Sequence, residues 1–490
     1  MIRARQSQDP TSPDYPFANV LGDVKESEVV FVNGQSGWKT FQLENDRFRE
    51  MGVTASNQMW KWEFLAEPNT WTSFQTTAHR TYVVLELPSC PWEPRSCDPK
   101  NIQAPWTEAL EYACHWAAGI TKNLDLAASM VTDRVFALGK TLVTYASSGT
   151  FTDDKFDLTR FIALLDGKAS KSHTLNCDDC ASVVSTFANL LGCNLWQSSM
   201  GSTMGFHTNP VLQVGHSQWT TTGYLHHSVA WKGDCLGNDE LFDAFLKVDG
   251  DMQPNQPPQF PLQPARIRFG IGRDRTYHFR LVRSGECEPI PNSVIYKRTR
   301  RRFGEVFCGT ERIEDKSALL PIKRIYSFDS WPRVEDSRFV IDKTGSSLTD
   351  LLLQRFVLDG WERHFSHTFE DERFASLLEI TFKRSTPSSE SVALNVYEPS
   401  DANDSNELLL ELLARFQFND FTRPLPPPIG DVAFVQAGGL SALVRIGRIV
   451  AMLRSVGRER VSVLEPTMIL KQLLTAPDEL PVPTGDVESK

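Results

Sequence analysis

The hydrophobic pattern of this chain changes twice along its length, and that order limits the folds it can adopt. Short segments of alternating apolar residues fill positions 29–90 and predict strands, among them EVVFVN, KWEFLAE and RTYVVLEL. From Pro105 to residue 192 the apolar residues recur at helical spacing instead. Strand patterns return over 209–282 in NPVLQVG, YLHHSVAW, LFDAFLKV, ARIRFGI and TYHFRLV, with IGRD as a hairpin tip. This order predicts an α+β fold in which helices pack on an antiparallel sheet.

Shifts in composition predict the domain boundaries. The chain has 490 residues and 41 % hydrophobic composition, which suffices for two or three packed domains. The predicted segments are a β-rich N-terminal region over 1–100, a core over 101–285, a linker with a basic cluster over 286–335, a second α+β domain over 336–480 and a flexible tail over 481–490.

The predicted C-terminal domain combines both element types. Strands are predicted for SLLEITFKR, SVALNVYE and IGDVAFV, and helices for NELLLELLARF and LEPTMILKQLL. The segment SALVRIGRIVAMLRSV over 441–456 is predicted as further strands. It also fits one amphipathic helix, because four apolar residues fall at 3.6-residue spacing: Leu443, Ile446, Val450 and Leu453.

Charge and hydropathy exclude several classes of partner. The formal net charge of -10 is spread along the chain, which argues against a nucleic-acid surface, and the one basic cluster, KRTRRR at 297–302, is short enough for a solvated loop. The N-terminal MIRARQSQDPTSP lacks the apolar segment of a secretory signal, and no stretch is long enough to span a bilayer. We therefore expect a cytoplasmic protein with reduced cysteines and without a membrane partner.

Three of the nine cysteines lie within one helical pattern, LNCDDCASVVSTFANLLGCN at 175–194. Asn176 is a favourable N-cap and Gly192 is placed to end the helix, so the helix should begin at Cys177. A thiol there lies beside the free amides and the positive end of the helix dipole, both of which stabilise a thiolate. Cys180 falls on the apolar face, where a structural cysteine is expected.

The same run resembles the nucleophile helix of the transglutaminase-like superfamily. The positions that match its pattern are Cys177, Asp179, Ala181 and the pair at 191–192. In that superfamily a strand with a histidine follows, and then a strand with an aspartate. GYLHHSVAW and ELFDAFLKVDGD supply both in that order. The resemblance covers about residues 105–285 and implies a papain-like core with a Cys-His-Asp catalytic triad.

Two histidines compete for the second position of the triad. His226 and His227 are adjacent on a predicted strand, so they should point to opposite faces and only one should meet Cys177. His227 is favoured, because it shares its face with Val229 and Trp231 in the order typical of the superfamily.

The carboxylate and the second oxyanion donor also have alternatives. Asp243 is favoured, because a carboxylate inside an apolar strand needs a partner, whereas Asp249 and Asp251 lie in DGD, which predicts a turn. The backbone amide of Cys177 can supply one oxyanion donor. The candidates for the second donor are Trp106, Trp116, His173 and Asn176.

The resemblance implies a cysteine-dependent hydrolase or acyl transferase of the peptidase, amidase or transglutaminase type. It would act on a protein or peptide through a thioester on Cys177, without a cofactor or a required metal. One alternative is an inactive scaffold that binds other proteins, which the departure Cys193-Asn194 after Leu-Gly keeps open. The others are a C-D-D-C dithiol redox motif and a zinc site built from Cys177, Cys180, Cys193 and His207.

Overall fold

The structure of the protein is a computed structural model. It describes residues 1–7, 21–45, 52–89, 92, 104–147, 149–152, 155–168, 173–250, 261–262, 266–270, 275–283, 289–291, 303–304, 319–337, 347–368, 373–385, 390–414, 416, 421–424, 429–456 and 459–475. The predicted basic cluster, the IGRD turn, Asp251 and the predicted tail lie outside these residues.

The described residues form a mixed α+β structure whose sheets are mostly antiparallel. The chain divides into two compact units. The first unit comprises Met1–Trp92, Gln103–Val131 and Thr186–Asn194. The second comprises Glu93–Ile102, Thr132–Ser185 and Leu195–Lys490. The bounds of the five predicted segments stay predictions.

The elements are numbered in chain order. The strands are β1 (Ile2–Ser7), β2 (Val24–Ser27), β3 (Thr54–Glu67), β4 (Thr70–Val83), β5 (Val143–Tyr145), β6 (Phe156–Asp157), β7 (His173–Leu175), β8 (Trp196–His207), β9 (Leu212–Gln213), β10 (Gly223–Trp231), β11 (Glu240–Phe242), β12 (Leu246–Asp249), β13 (Pro261–Leu262), β14 (Ile267–Arg268), β15 (Ile290–Pro291), β16 (Phe303–Gly304), β17 (Trp361–Thr368), β18 (Phe374–Arg384), β19 (Ser391–Pro399), β20 (Phe421–Thr422), β21 (Val432–Gln436), β22 (Ser441–Ile446) and β23 (Ile449–Ser455). The helices are α1 (Thr107–Trp116), α2 (Leu124–Ala137), α3 (Leu158–Leu165), α4 (Cys177–Leu190), α5 (Tyr277–Leu281), α6 (Leu320–Ile325), α7 (Leu348–Arg355), α8 (Asp404–Ala414) and α9 (Leu464–Thr475). In this described part of the chain, every helix is too short or too polar to cross a membrane.

A four-stranded antiparallel sheet in the order β2-β1-β3-β4 forms the first unit's β-rich part. The predicted strand KWEFLAE lies in β3, whereas only the first four residues of RTYVVLEL belong to β4, which ends at Val83. The predicted strand EVVFVN is wrong. Asn33 and Gly34 adopt left-handed φ values of 52° and 79° and turn the chain back between Val32 and Gln35, which leaves Val32 68 % exposed.

The second unit contains a five-stranded sheet in the order β14-β11-β10-β8-β15. Its centre is the antiparallel pair β8 and β10, in which His227 lies opposite Met200 and Ser228 opposite Ser199. The predicted strand YLHHSVAW is confirmed as β10, and every residue from Tyr224 to Trp231 is buried. β8 was not predicted, because its Ser- and Gly-rich sequence has low β-propensity and only tertiary pairing makes it a strand.

Two predicted strands near the candidate site differ from the structure. TYHFRLV forms the short helix α5 over Tyr277–Leu281, between Thr276 and Val282, which are both in extended conformation. ELFDAFLKV is interrupted: β11 ends at Phe242 and β12 begins at Leu246. Asp243 therefore lies in the bend between two strands, where its side chain accepts the amides of Phe245 and Leu246.

A seven-stranded antiparallel sheet, β17-β18-β19-β23-β22-β21-β20, forms the C-terminal part of the second unit. The predicted strands match β18, β19 and β21, and the predicted helices match α8 and α9. The segment at 441–456 forms the strand pair β22 and β23, so the alternative of one helix is wrong. All of its strand residues except Arg454 are buried, as expected for strands covered on both faces, whereas a helix would bury one stripe. Separate apolar clusters cover the two faces.

Candidate active site

Helix α4 begins at Cys177 and has the predicted N-cap. The Asn176 side-chain oxygen accepts the Asp179 amide at 2.9 Å, and the Asp179 carboxylate accepts the Asn176 amide at 3.3 Å. This reciprocal pair is a capping box, which satisfies two amides that a helix start would otherwise leave open. The cap fixes where the first helical residue, Cys177, is placed.

The Asp179 carboxylate also anchors a neighbouring loop. It accepts the backbone amides of Thr150 at 2.8 Å and Phe151 at 3.0 Å. Gly149 allows this close approach, since a Cβ at that position would lie 3.0 Å from an Asp179 oxygen. Asp179 is fully buried, and burial raises its pKa to about 6 although the hydrogen bonds from Thr150, Phe151 and Asn176 oppose that rise.

The raised pKa of Asp179 predicts a pH-dependent stability. Below the ordinary value of 3.8 both the folded and the unfolded chain hold the proton. Between pH 4 and 6 the unfolded chain releases it first, so this group's contribution to stability is lost as the pH rises through about 6. We expect a loss of about 3 kcal/mol over that window.

The measurement is the free energy of unfolding of the parent chain and of Asp179→Asn at several pH values. The neutral amide does not titrate, so the difference between the two curves isolates Asp179. The parent should lose stability relative to Asp179→Asn from pH 4 to 6. Parallel curves would contradict the assignment.

The Cys177 thiol is fully buried and is protonated at rest. Burial raises its pKa well above the ordinary value, and the Asp178 carboxylate raises it further, while a hydrogen bond from the Ser228 backbone amide lowers it. Burial is the largest of these effects, so the thiol keeps its proton at rest despite its place at the start of a helix. A base must take the proton before Cys177 can act as a nucleophile.

The Cys177 sulfur lies close to β10. A His226 ring nitrogen of this strand is within 4.8 Å of the sulfur. The Asp243 carboxylate, which lies on the other face of β10, also raises the pKa of the thiol. The sulfur is therefore within electrostatic reach of both faces of the strand.

On one face, the sulfur lies with His226 and Asp178. The Cys177 sulfur, an Asp178 oxygen and a His226 ring nitrogen all lie within 4.8 Å of one another. The His226 Nε2 is 3.4 Å from the Asp178 Oδ2, and the Ser228 hydroxyl donates to the other oxygen of Asp178. All of these residues are buried. The sequence analysis did not assign a role to Asp178.

On the other face, His227 pairs with Asp243, the two residues predicted for the triad. The His227 Nε2 is 3.0 Å from the Asp243 Oδ2, and their side chains are 0 % and 1 % exposed. The Tyr277 hydroxyl donates to the same oxygen at 2.5 Å. The Asp243 Oδ1 accepts two backbone amides, so this carboxylate has four hydrogen-bond partners in all. The carboxylate in turn fixes the orientation of the His227 ring.

Two tyrosines that the sequence analysis missed line this second face. Tyr224 stacks on His227 with ring centroids 5.7 Å apart, and Tyr277 stacks at 6.5 Å on the same ring. Gln213 donates to the Tyr224 hydroxyl at 2.9 Å. Burial raises the pKa of both tyrosines and the Asp243 carboxylate raises it further, so these hydroxyls belong to the same electrostatic cluster as the predicted triad.

The alternatives to these residues have other surroundings. Asp249 is a buried residue of β12 and not part of a turn, and Arg280 donates to its backbone oxygen. The turn prediction fails because β12 continues to Asp249 and pairs there with β13. Among the candidate oxyanion donors, Asn176 uses its side-chain oxygen in the cap, and burial lowers the pKa of His173 to about 3. Trp106 and Trp116 are buried residues of the first unit.

The geometry of the cysteines also bears on the two alternative predictions, a dithiol redox motif and a zinc site. Cys177 and Cys180 are both free thiols, and burial raises the pKa of Cys180 as it does that of Cys177. Among the described residues, the one group of three or more potential metal ligands is Cys177, Asp178 and His226. This group differs from the predicted zinc ligands, which were Cys177, Cys180, Cys193 and His207. In the structure the Cys193 thiol donates to the Leu124 carbonyl.

No family model, no curated protein and no solved structure matches this chain. The resemblance to the transglutaminase-like superfamily thus stays a prediction from the residues quoted for it.

Proposed function

We propose that the protein is a cysteine-dependent enzyme that cleaves or exchanges amide bonds through a thioester on Cys177. The observation that carries the proposal is the position of the Cys177 sulfur. It lies at the first residue of a capped helix and close to strand β10, which carries two buried, carboxylate-paired histidines. Nucleophile, base and orienting carboxylate are the three parts that acyl transfer by a thiol requires.

In the proposed reaction, His227 takes the thiol proton on Nδ1, because Asp243 holds its Nε2. The sulfur attacks the carbonyl carbon, and the carbonyl electron pair moves onto the oxygen. Collapse of this intermediate expels the amine, which takes the proton from His227, and leaves the thioester. Water or a second amine then attacks the thioester and restores the thiol. The Cys177 backbone amide supplies one oxyanion donor, an interaction typically contributing about 3 kcal/mol.

The substrate must reach a sulfur that is fully buried in the resting structure. Cys177 and His227 are each 0 % exposed. The proposal therefore requires that the chain opens around β10 when an acyl group binds, as many enzymes do before chemistry. The complete burial of Cys177 and His227 favours the second candidate function, an inactive scaffold that binds other proteins. The two differ in one measurable property, since only the enzyme forms a thioester.

The test is acylation by an activated ester, p-nitrophenyl acetate, followed by release of p-nitrophenol and by the mass of the intact chain. We expect the parent to gain one acetyl group and to lose it on treatment with hydroxylamine, which cleaves thioesters. Absence of acylation in the folded parent chain, at any pH between 6 and 9, would support the scaffold instead.

The two histidines can be separated by matched variants. We expect His227→Ala to lower the acylation rate by about 10²-fold or more, the usual range for a general base, because Asp243 then orients no imidazole. His226→Ala removes the ring of the other face and should retain most of the acylation rate. Both rates are measured on chains whose thermal unfolding is recorded alongside. The reverse order of the two rates would assign the base to His226 and overturn the proposed triad.

A further inference from the structure

A buried group of metal-ligand type lies on the face of β10 that the proposed triad does not use. It consists of Cys177, Asp178 and His226, whose sulfur, oxygen and nitrogen atoms lie within 4.8 Å of one another. Two of the residues open helix α4 and the third lies in the middle of a fully buried strand. Sites built on packed helices and strands hold their ligands more rigidly than loops do.

The distances approach those of a tetrahedral site. Zn²⁺ binds sulfur at about 2.3 Å and nitrogen or oxygen at about 2.0–2.2 Å, which separates neighbouring ligand atoms by about 3.3–3.8 Å. The His226 Nε2 and the Asp178 Oδ2 are 3.4 Å apart. The Cys177 sulfur, within 4.8 Å of both groups, needs to approach by at most about 1–1.5 Å.

The charge balance favours a divalent cation. A thiolate, a carboxylate and a neutral imidazole together carry a charge of -2, so a divalent ion makes the buried group neutral. The carboxylates of Asp178 and Asp243 both act on the thiol of Cys177, and their negative field attracts a cation. The Ser228 hydroxyl holds the second oxygen of Asp178, as hydrogen-bond donors do for ligands in known metal sites.

We propose that Cys177, Asp178 and His226 form a binding site for a soft divalent cation such as Zn²⁺, with a fourth position left to water. On binding, the thiol releases its proton to solvent and the sulfur donates an electron pair to the metal, while His226 binds through an unprotonated nitrogen. The thiolate ligand selects against Mg²⁺ and Ca²⁺. Because the metal occupies the sulfur that would attack a substrate, it inhibits the reaction, and this consequence alone rests on the proposed function.

The test titrates Co²⁺ into the full chain after chelator treatment. Cobalt in such a site gives a sulfur-to-cobalt absorption band, which Zn²⁺ should remove by competition while Mg²⁺ and Ca²⁺ should not. We expect one equivalent of the band in the parent chain. Cys177→Ser, Asp178→Asn and His226→Ala should each weaken binding by about tenfold or more.

Two variants serve as matched controls. Cys180→Ala removes the next thiol of the same helix, and His227→Ala removes the ring on the opposite face of β10. Both should keep the band. If Cys177→Ser or His226→Ala fails to fold, Ser228→Ala keeps all three ligands and should still weaken binding, because it frees the second oxygen of Asp178.

The result that would overturn the proposal is either no cobalt band in the parent or a band that persists in Cys177→Ser. Neither result depends on a substrate. An enzyme that acylates at Cys177 but binds no cobalt would retain the proposed function and lose this site. A chain that binds cobalt at Cys177 but never acylates would retain the site and lose the function.

Discussion

Cys177→Ala should abolish acylation of the chain and leave its fold intact. Without the sulfur no thioester can form, so the rate of p-nitrophenol release should fall by at least roughly 10³-fold, to the level of the ester alone. The side chain that is removed is small, and its loss should lower the free energy of unfolding by about 1 kcal/mol. The measurement pairs the acylation rate with urea unfolding of the same preparation.

Cys180→Ala is the matched control for this prediction. It removes the same kind of side chain from the same helix, one turn later and equally buried, with 1 % exposure against 0 % for Cys177. Its effect on stability should therefore be similar, about 1 kcal/mol, and its acylation rate should stay close to that of the parent. If both variants lose acylation equally, the effect comes from packing around the helix and not from a nucleophile.

Asp243→Asn should lower the acylation rate by roughly 10²–10⁴-fold, as much as loss of the His227 base itself. The amide oxygen can still accept the backbone amides of Phe245 and Leu246, so the bend between β11 and β12 is kept. The amide nitrogen then faces the His227 Nε2, which must act as an acceptor. With Nε2 unprotonated, the ring proton lies on Nδ1, so His227 can no longer take a proton from the thiol at that atom.

Tyr277→Phe controls for the change in hydrogen bonding around Asp243. It removes one donor to the same carboxylate oxygen and leaves the bond between His227 and Asp243 in place. We expect a stability loss of about 1 kcal/mol and an acylation rate within tenfold of the parent. Equal losses of rate in Asp243→Asn and Tyr277→Phe would indicate that the cluster serves only packing. Stability is measured by urea unfolding and the rate by ester cleavage.

The start of helix α4 was predictable because its signals are local. Asn176 and Asp179 form a capping box within four residues, and the structure places the first helical residue at Cys177 as the pattern indicates. The strand pair at 441–456 was predictable for a related reason. Ten of its sixteen residues are apolar, and Gly447, with a φ of 56°, allows the turn between the two strands.

The bend at Asp243 was not predictable from the apolar pattern. Leu241, Phe242 and Phe245 continue the pattern across it, so a single strand fits the sequence. The strand ends there because the Asp243 side chain takes the amides that the ladder would otherwise use. The one local sign of the bend is an aspartate two residues before a bulky apolar residue. Many uninterrupted strands contain the same pair.

The surroundings of the Cys177 sulfur required tertiary structure. Sequence spacing shows that His226 and His227 point to opposite faces, but it does not show that the sulfur lies within 4.8 Å of Asp178 and His226. Likewise, α5 is too short to show helical periodicity, so TYHFRLV was assigned to a strand and Tyr277 could not be placed beside Asp243.

The loop that the Asp179 carboxylate binds is also held by residues far along the chain. The Gly149 carbonyl accepts a hydrogen bond from Arg454, which is 305 residues later, and the Ser147 hydroxyl accepts one from Gln436, which is 289 residues later. Contacts of such long range form slowly, and chains are synthesised at roughly 5–20 residues per second. On the ribosome, the contacts that hold this loop beside helix α4 are therefore incomplete for roughly 15–60 seconds after the loop is made. A nascent or truncated chain that ends before β21 would carry Cys177 without either contact, and one that ends before β23 would still lack the bond from Arg454. Residues 289 and 305 positions after the loop residues that they bind therefore determine when the candidate site is complete.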